Sequence, residues 1–177
     1  MAMPLPRILY FAYGSNMWSH RMRIRNGRAE FFDIGTLNGH RISFVGKSGA
    51  WRGGTATIVP HKPDSCVQGV VWSIPQKDIP LLDEQENGYN GISVKIKLPS
   101  GEEKLCRTYM HKVPNGDKTE PSTVYKGVII AGALEHKLPS SYVEDLLKIK
   151  DNGCSSGIDI PVDLEKLRGE LKGKINL

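Results

Sequence analysis

The sequence predicts an α+β domain: a rolled or closed sheet up to about Met110, then helices. Three observations carry that reading. Seven short segments rich in β-branched and aromatic residues, with partial period-two alternation, are separated by glycine, proline and polar turns. Beyond Pro121 the apolar residues recur at helical spacing instead. The chain has 177 residues, 39% hydrophobic and 24% charged, which fits one ordinary core and disfavours disorder, a coiled coil or two independent domains.

The strand segments are Ile8–Tyr13, Phe31–Leu37, Arg41–Val45, Gly54–Val59, Val67–Ile74, Ile92–Leu98 and Lys104–Met110. Pro99-Ser100-Gly101 between the last two predicts an antiparallel hairpin. Two helical segments interrupt the strands. Met17–Arg25 follows a capping Ser15-Asn16 and stops at Asn26-Gly27, and Gln76–Gln85 tolerates Pro80 only in a first turn. After Pro121, Tyr125, Val128, Ile129, Gly132 and Ala133 share helical spacing up to Pro139. Ser141 and Glu144 are spaced as a capping box for a further helix ending at Asp151-Asn152-Gly153. The whole, residues 1–177, is expected to be a single domain with a polar, peripheral tail from about Cys154 and a weak helix near Val162–Arg168.

Composition narrows the setting. No apolar run approaches the roughly 18–20 residues of a membrane helix, and Met1–Pro6 has neither a basic start nor an apolar stretch for a secretory signal, so no membrane association and a cytoplasmic location are expected. Cys66, Cys106 and Cys154 are odd in number and widely spaced, indicating neither a disulfide framework nor a zinc site. His20, His40, His61, His111 and His136 are scattered without paired ligand spacing, so no metal is expected. No Walker pattern or GxGxxG supports nucleotide binding, and no GxSxG elbow surrounds Ser15. The net charge of +5 permits a polyanionic partner without requiring one. Arg21, Arg23, Arg25 and Arg28 have no acid before Glu30, with Arg21, Arg25 and Arg28 on one helical face. Without interleaved stacking aromatics this reads as a solvated or oligomer-facing surface more than a phosphate-binding one, and no nucleic-acid partner is expected.

Two stretches can carry chemistry. In Tyr10-Phe11-Ala12-Tyr13-Gly14-Ser15-Asn16 an aromatic strand runs through glycine into a helix start, where free N–H groups can grip a carboxylate or a developing oxyanion. Alone, the same residues read as an edge strand, a tight turn and a cap. In Leu81-Leu82-Asp83-Glu84-Gln85-Glu86-Asn87-Gly88, three carboxylates fall within four positions. Glu86 lies next to the apolar stripe, where burial and like-charge neighbours would raise its pKa toward general acid/base use. The plain alternative is a solvated acidic helix end.

Taken together, Tyr10–Asn16 followed by Met17, then Asp83-Glu84-Gln85-Glu86, Cys106-Arg107-Thr108-Tyr109, and Tyr125 with Val128–Ala133, resemble the gamma-glutamylcyclotransferase family in order and spacing, over about Ile8 to Ile149. Glutathione-specific cyclotransferases typically carry YGSL and gamma-glutamylamine cyclotransferases YGTL, whereas Tyr13–Asn16 reads YGSN. The resemblance implies a mixed, mostly antiparallel β-barrel with α-helices round it, homodimers, and neither metal nor cofactor. It implies that Tyr10, Phe11, Ala12, Tyr13, Gly14, Ser15 and Tyr125 bind a small gamma-glutamyl substrate and that Glu86 is the catalytic acid/base. The implied reaction is a lyase-type cyclisation in glutathione and gamma-glutamyl peptide metabolism: the substrate's α-amine attacks its own γ-carbonyl, forming 5-oxoproline and freeing an amino acid. Because the nucleophile belongs to the substrate, no Ser/His or Cys/His pair is required. The alternatives are a cyclotransferase specific for glutathione or gamma-glutamylamines, and a non-catalytic binding module using the same pocket.

Overall fold

The structure is a computed structural model describing residues 1–177. All seven strands form: β1 (Arg7–Ala12), β2 (Glu30–Asn38), β3 (His40–Ser48), β4 (Gly53–Pro60), β5 (Cys66–Pro75), β6 (Tyr89–Lys97) and β7 (Glu103–His111). Five of them close into a barrel in the order β1-β5-β2-β6-β7. Its pairs are antiparallel except at the seam, where β1 meets β7 in parallel with Tyr10 opposite Arg107. The other two strands stay outside the barrel as an antiparallel ribbon, His40 opposite Pro60. Lying between β1 and β2, β5 buries Val67, Val70, Val71, Trp72 and Ile74, residues from both faces of the strand. The β6–β7 hairpin pairs Lys97 with Glu103, on either side of the Pro99-Ser100-Gly101 loop.

The helices are α1 (Ser19–Arg23), α2 (Ile79–Gln85), α3 (Thr123–Glu135), α4 (Ser140–Leu147) and α5 (Leu164–Leu171). Buried through Ala133 and apolar on all sides, α3 is the central helix. Ser122 Oγ caps it by accepting from Tyr125 N at 3.1 Å. Its Gly132 lets the chain at Met17–Trp18 approach closely: a Cβ there would lie 2.6 Å from both Met17 Cβ and Trp18 N. Lys126 Nζ leaves α3 to donate to the carbonyls of Leu147 and Ile149 at 2.9 and 2.6 Å, satisfying groups at the end of α4.

Four local expectations are corrected. The helix expected over Met17–Arg25 is a single 3-10 turn, Ser15–Met17, followed by the short α1. Trp18 between them is extended, at φ −78° and ψ 121°, because its fully buried side chain is held in the core and its Nε1 donates to the Glu170 carboxylate. The capping box is absent: α4 starts at Ser140 behind Pro139 with no side-chain cap, so Ser141 lies inside the helix. Arg28 falls beyond α1 and pairs with Asp78, so it shares no helical face with Arg21. The tail expected to be peripheral carries α5, capped by Asp163 accepting from Lys166 N at 3.0 Å, with Leu167 and Leu171 fully buried against α3.

Candidate active site

The end of β1 delivers Tyr10 and Tyr13 to one cavity, and the chain then turns through Gly14 into the 3-10 turn. That turn is closed by Met17 N donating to Gly14 O and Trp18 N to Ser15 O, so the N–H groups of Ser15 and Asn16 have no partner within it. From the opposite side, α2 ends at Glu86, whose N–H donates to Leu82 O at 3.0 Å. Gly88, at φ +98°, then reverses the chain into β6, a conformation that favours glycine. Tyr89 comes from β6, Tyr109 from β7 and Tyr125 from α3. These elements form a cavity lined by Tyr10, Tyr13, Gly14, Ser15, Asn16, Ala56, Glu86, Tyr89, Tyr109 and Tyr125. Five of the six tyrosines in the sequence face it.

Asn16, only 3% exposed, organises the floor. Its Nδ2 donates to Glu86 Oε1 at 3.0 Å and to Tyr10 Oη at 3.2 Å. Its Oδ1 accepts from Gln85 Nε2 at 3.2 Å, and Gln85 Oε1 accepts from Asn26 Nδ2 at 2.9 Å. Trp72 Nε1 donates to the Asn16 carbonyl at 2.9 Å, tying the turn to β5. The tyrosine hydroxyls are positioned in turn: Tyr13 donates to the Tyr109 carbonyl, Tyr109 to Asp83 Oδ1 at 2.5 Å and Tyr89 to the Ala56 carbonyl at 2.8 Å. Tyr125 Oη accepts from Ala56 N at 2.9 Å.

Burial pushes the Glu86 carboxyl up from an ordinary 4.5 to about 7, against the opposing pull of Arg21 and the Asn16 hydrogen bond. Glu86 lines the cavity and keeps some exposure as a residue, but its carboxyl is largely desolvated among neutral aromatic groups. Burial also raises the hydroxyl pKa values of Tyr10, Tyr13 and Tyr125, which stay protonated. The like-charge explanation for Glu86 is corrected. Asp83 is held below the usual carboxylate range because hydrogen bonds from Tyr109 and Arg107 outweigh its own desolvation, and Glu84 is exposed. Desolvation alone raises Glu86.

Of the residues singled out in the sequence, Tyr10, Tyr13, Gly14, Ser15, Glu86 and Tyr125 meet at this cavity. Phe11 and Ala12 do not reach its wall: both are buried in the core, and Phe11 O accepts from Thr108 Oγ1 at 2.7 Å to hold β1 against β7. The sequence reading missed the amide series Asn26–Gln85–Asn16, which comes from three separate segments, and took Arg21 for a surface residue. The structure buries Arg21, with its guanidinium 5.6 Å from the Trp51 ring centroid. No three His, Cys, Asp or Glu side chains group as a metal site would require, and no helix is long and apolar enough to cross a membrane.

A model of the AIG2-like family matches residues 66–146. The gamma-glutamylcyclotransferase of Homo sapiens is 36% identical over 170 residues, 92% of this chain and 89% of that protein. Its counterpart from Mus musculus is 38% identical over 172 residues, 93% of this chain and 90% of that protein. The chain belongs to the gamma-glutamylcyclotransferase family. A solved gamma-glutamyl cyclotransferase superposes with a TM-score of 0.83 at 35% identity, covering 95% of this chain and all of that one. The YkqA protein of Bacillus subtilis, at 19% identity and a TM-score of 0.66, shares the fold. The barrel and the helices round it are thus those of the gamma-glutamylcyclotransferases.

Proposed function

We propose that this gamma-glutamylcyclotransferase acts on gamma-glutamyl amino acids or dipeptides, with Glu86 as the single acid/base. The supporting observation is a carboxyl of pKa about 7, oriented by Asn16, in the wall of a tyrosine-lined cavity. The α-amine of the substrate arrives as an ammonium with a pKa of about 8. Against an ordinary Glu of 4.5 the proton transfer is uphill by roughly 5 kcal/mol, and against a carboxyl near 7 by only about 1.4 kcal/mol. Glu86 takes that proton, the freed amine nitrogen bonds to the γ-carbon, and the carbonyl oxygen takes on negative charge. As the tetrahedral carbon collapses, Glu86 returns the proton to the leaving nitrogen while its bond to carbon breaks, and the carboxylate so regenerated takes the second proton from the new ring nitrogen and passes it to the released amine, giving neutral 5-oxoproline and an amino acid or dipeptide.

The chain's other groups hold the substrate. The unpartnered N–H groups of Ser15 and Asn16 suit the developing oxyanion or a glutamyl carboxylate, and the neutral hydroxyls of Tyr10, Tyr13 and Tyr125 shape the cavity without adding charge. Folding an extended glutamyl chain into attack geometry is an orientation effect worth several kcal/mol. We also take the protein to be a cytosolic homodimer; the three unpaired cysteines suit a reducing compartment, and light scattering on the purified protein tests the assembly. A coupled assay of 5-oxoproline release across gamma-glutamyl compounds tests the activity: product from at least one is expected, and none from any refutes the reading.

A further inference from the structure

Arg21 is the member of the basic run that this chemistry leaves unused. It is only 9% exposed, and its Nε is buried with no hydrogen-bond partner. The guanidinium forms no ion pair, Glu86 included, although a buried cation without an acceptor is costly. Trp51 packs against it, and the planar fork it presents matches a carboxylate. The inner cavity shares Ser15, Glu86, Tyr89 and Tyr125 with a wider outer space beside it, and Arg21 lines that outer space together with Lys47 and His111.

The two spaces differ in charge as the two halves of a gamma-glutamyl amino acid differ in position. The inner cavity offers neutral hydroxyls, backbone N–H groups and Glu86, which suit the glutamyl half with its reacting amine. Beyond the scissile amide, the leaving amino acid carries its own α-carboxylate outward, to the side where Arg21 lies. Resting on the functional reading above, we propose that the Arg21 guanidinium receives the α-carboxylate of the leaving amino acid, so that the enzyme selects gamma-glutamyl amino acids over gamma-glutamylamines.

The test compares gamma-glutamyl-L-alanine with gamma-glutamyl-ethylamide, whose leaving groups differ by that carboxylate. The wild type is expected to prefer the alanine compound by about 10- to 100-fold, mostly in KM, the range of a charge-assisted hydrogen-bonded pair. Arg21→Gln should remove the preference, read as the ratio of kcat/KM on the two compounds at one pH so that the loss of Arg21's pull on Glu86, common to both substrates, cancels, and Arg21→Lys should keep part of it. An unchanged preference in Arg21→Gln, or an equal loss on both substrates, overturns the proposal. Calorimetric binding of both compounds to Glu86→Gln, in which Arg21 is intact, decides the matter if Arg21→Gln fails to fold: equal affinities overturn the proposal, and a similar preference for the alanine compound supports it. Should the wild type release no 5-oxoproline from either compound, the functional reading falls, and the same calorimetry still reads the carboxylate site separately.

Discussion

Glu86→Gln should make the protein a much poorer catalyst and, at neutral pH, a more stable one. The reason lies in the pKa of about 7. In the unfolded chain Glu86 releases its proton near 4.5, while the native state holds it until about 7. Between those values the native state binds more protons, so its stability falls as pH rises across the window and is flat on either side. A rise from 4.5 to about 7 corresponds to about 3 kcal/mol at 1.36 kcal/mol per pH unit. Glutamine has no such transition, and its side-chain oxygen can still accept from Asn16 Nδ2, so the floor of the site is preserved.

The measurement is guanidinium unfolding of both proteins at several pH values from 4 to 8. All other titrating groups are common to the pair and cancel in the difference. The unfolding free energy of the variant, relative to the wild type, should increase by about 3 kcal/mol between pH 4.5 and pH 7. A difference that does not change with pH would refute the desolvation argument. In parallel, 5-oxoproline release should fall by about 10²- to 10⁴-fold, the range for loss of a general acid/base, and wild-type kcat/KM should rise with pH through about 7. Undiminished turnover in a folded Glu86→Gln protein would refute the mechanism.

Asn16→Asp puts a second carboxylate where an amide now donates to Glu86; the rising limb of the pH–rate profile should move above 7, because two adjacent carboxylates resist joint ionisation. Gly132→Ala drives a Cβ to 2.6 Å from Trp18 N and should cost about 1–3 kcal/mol, seen as a Tm lower by several degrees, with kcat/KM reduced as the Ser15–Met17 turn is displaced. Leu171→Ala should cost about 2–5 kcal/mol by denaturant titration, yet leave turnover near wild type below the new Tm, since Leu171 packs against α3 beside Gly127 and lines no part of the cavity.

Strand positions were readable in the sequence because each segment carries its own pattern of β-branched residues and turns, as Ile92–Leu98 and Lys104–Met110 do round Pro99-Ser100-Gly101. Which strands close the barrel was not, since the seam joins Tyr10 to Arg107 across most of the chain and alternation does not identify a partner. The same limit applies to the site. Glu86 stands out locally as an acid beside apolar residues, but what desolvates it comes from Tyr10, Asn16, Tyr89, Tyr109 and Tyr125, which are remote in sequence. Its neighbours Asp83 and Glu84 suggested a charge effect that the fold cancels by giving Asp83 to Arg107 and Tyr109. Arg21 was misread for a related reason: four arginines in eight positions resemble a solvated face, and only the placement of Trp51 shows that one is enclosed.

The amide series explains how one carboxyl can serve two proton transfers. Asn26 Nδ2 donates to Gln85 Oε1 and Gln85 Nε2 to Asn16 Oδ1, so the Asn16 amide is left with its N–H groups toward Glu86 and Tyr10. Oε1 of Glu86 is therefore an acceptor in both protonation states, and a proton taken from substrate resides on Oε2, which has no protein partner. In the tetrahedral intermediate the attacking and leaving nitrogens are bonded to the same carbon. An oxygen placed beside that carbon can receive the proton from one nitrogen and return it to the other with little movement of the side chain. On this geometry a second acid would be redundant, and the one carboxyl has to sit near neutrality, because a much stronger acid would fail as the base and a much weaker one would fail to release the proton.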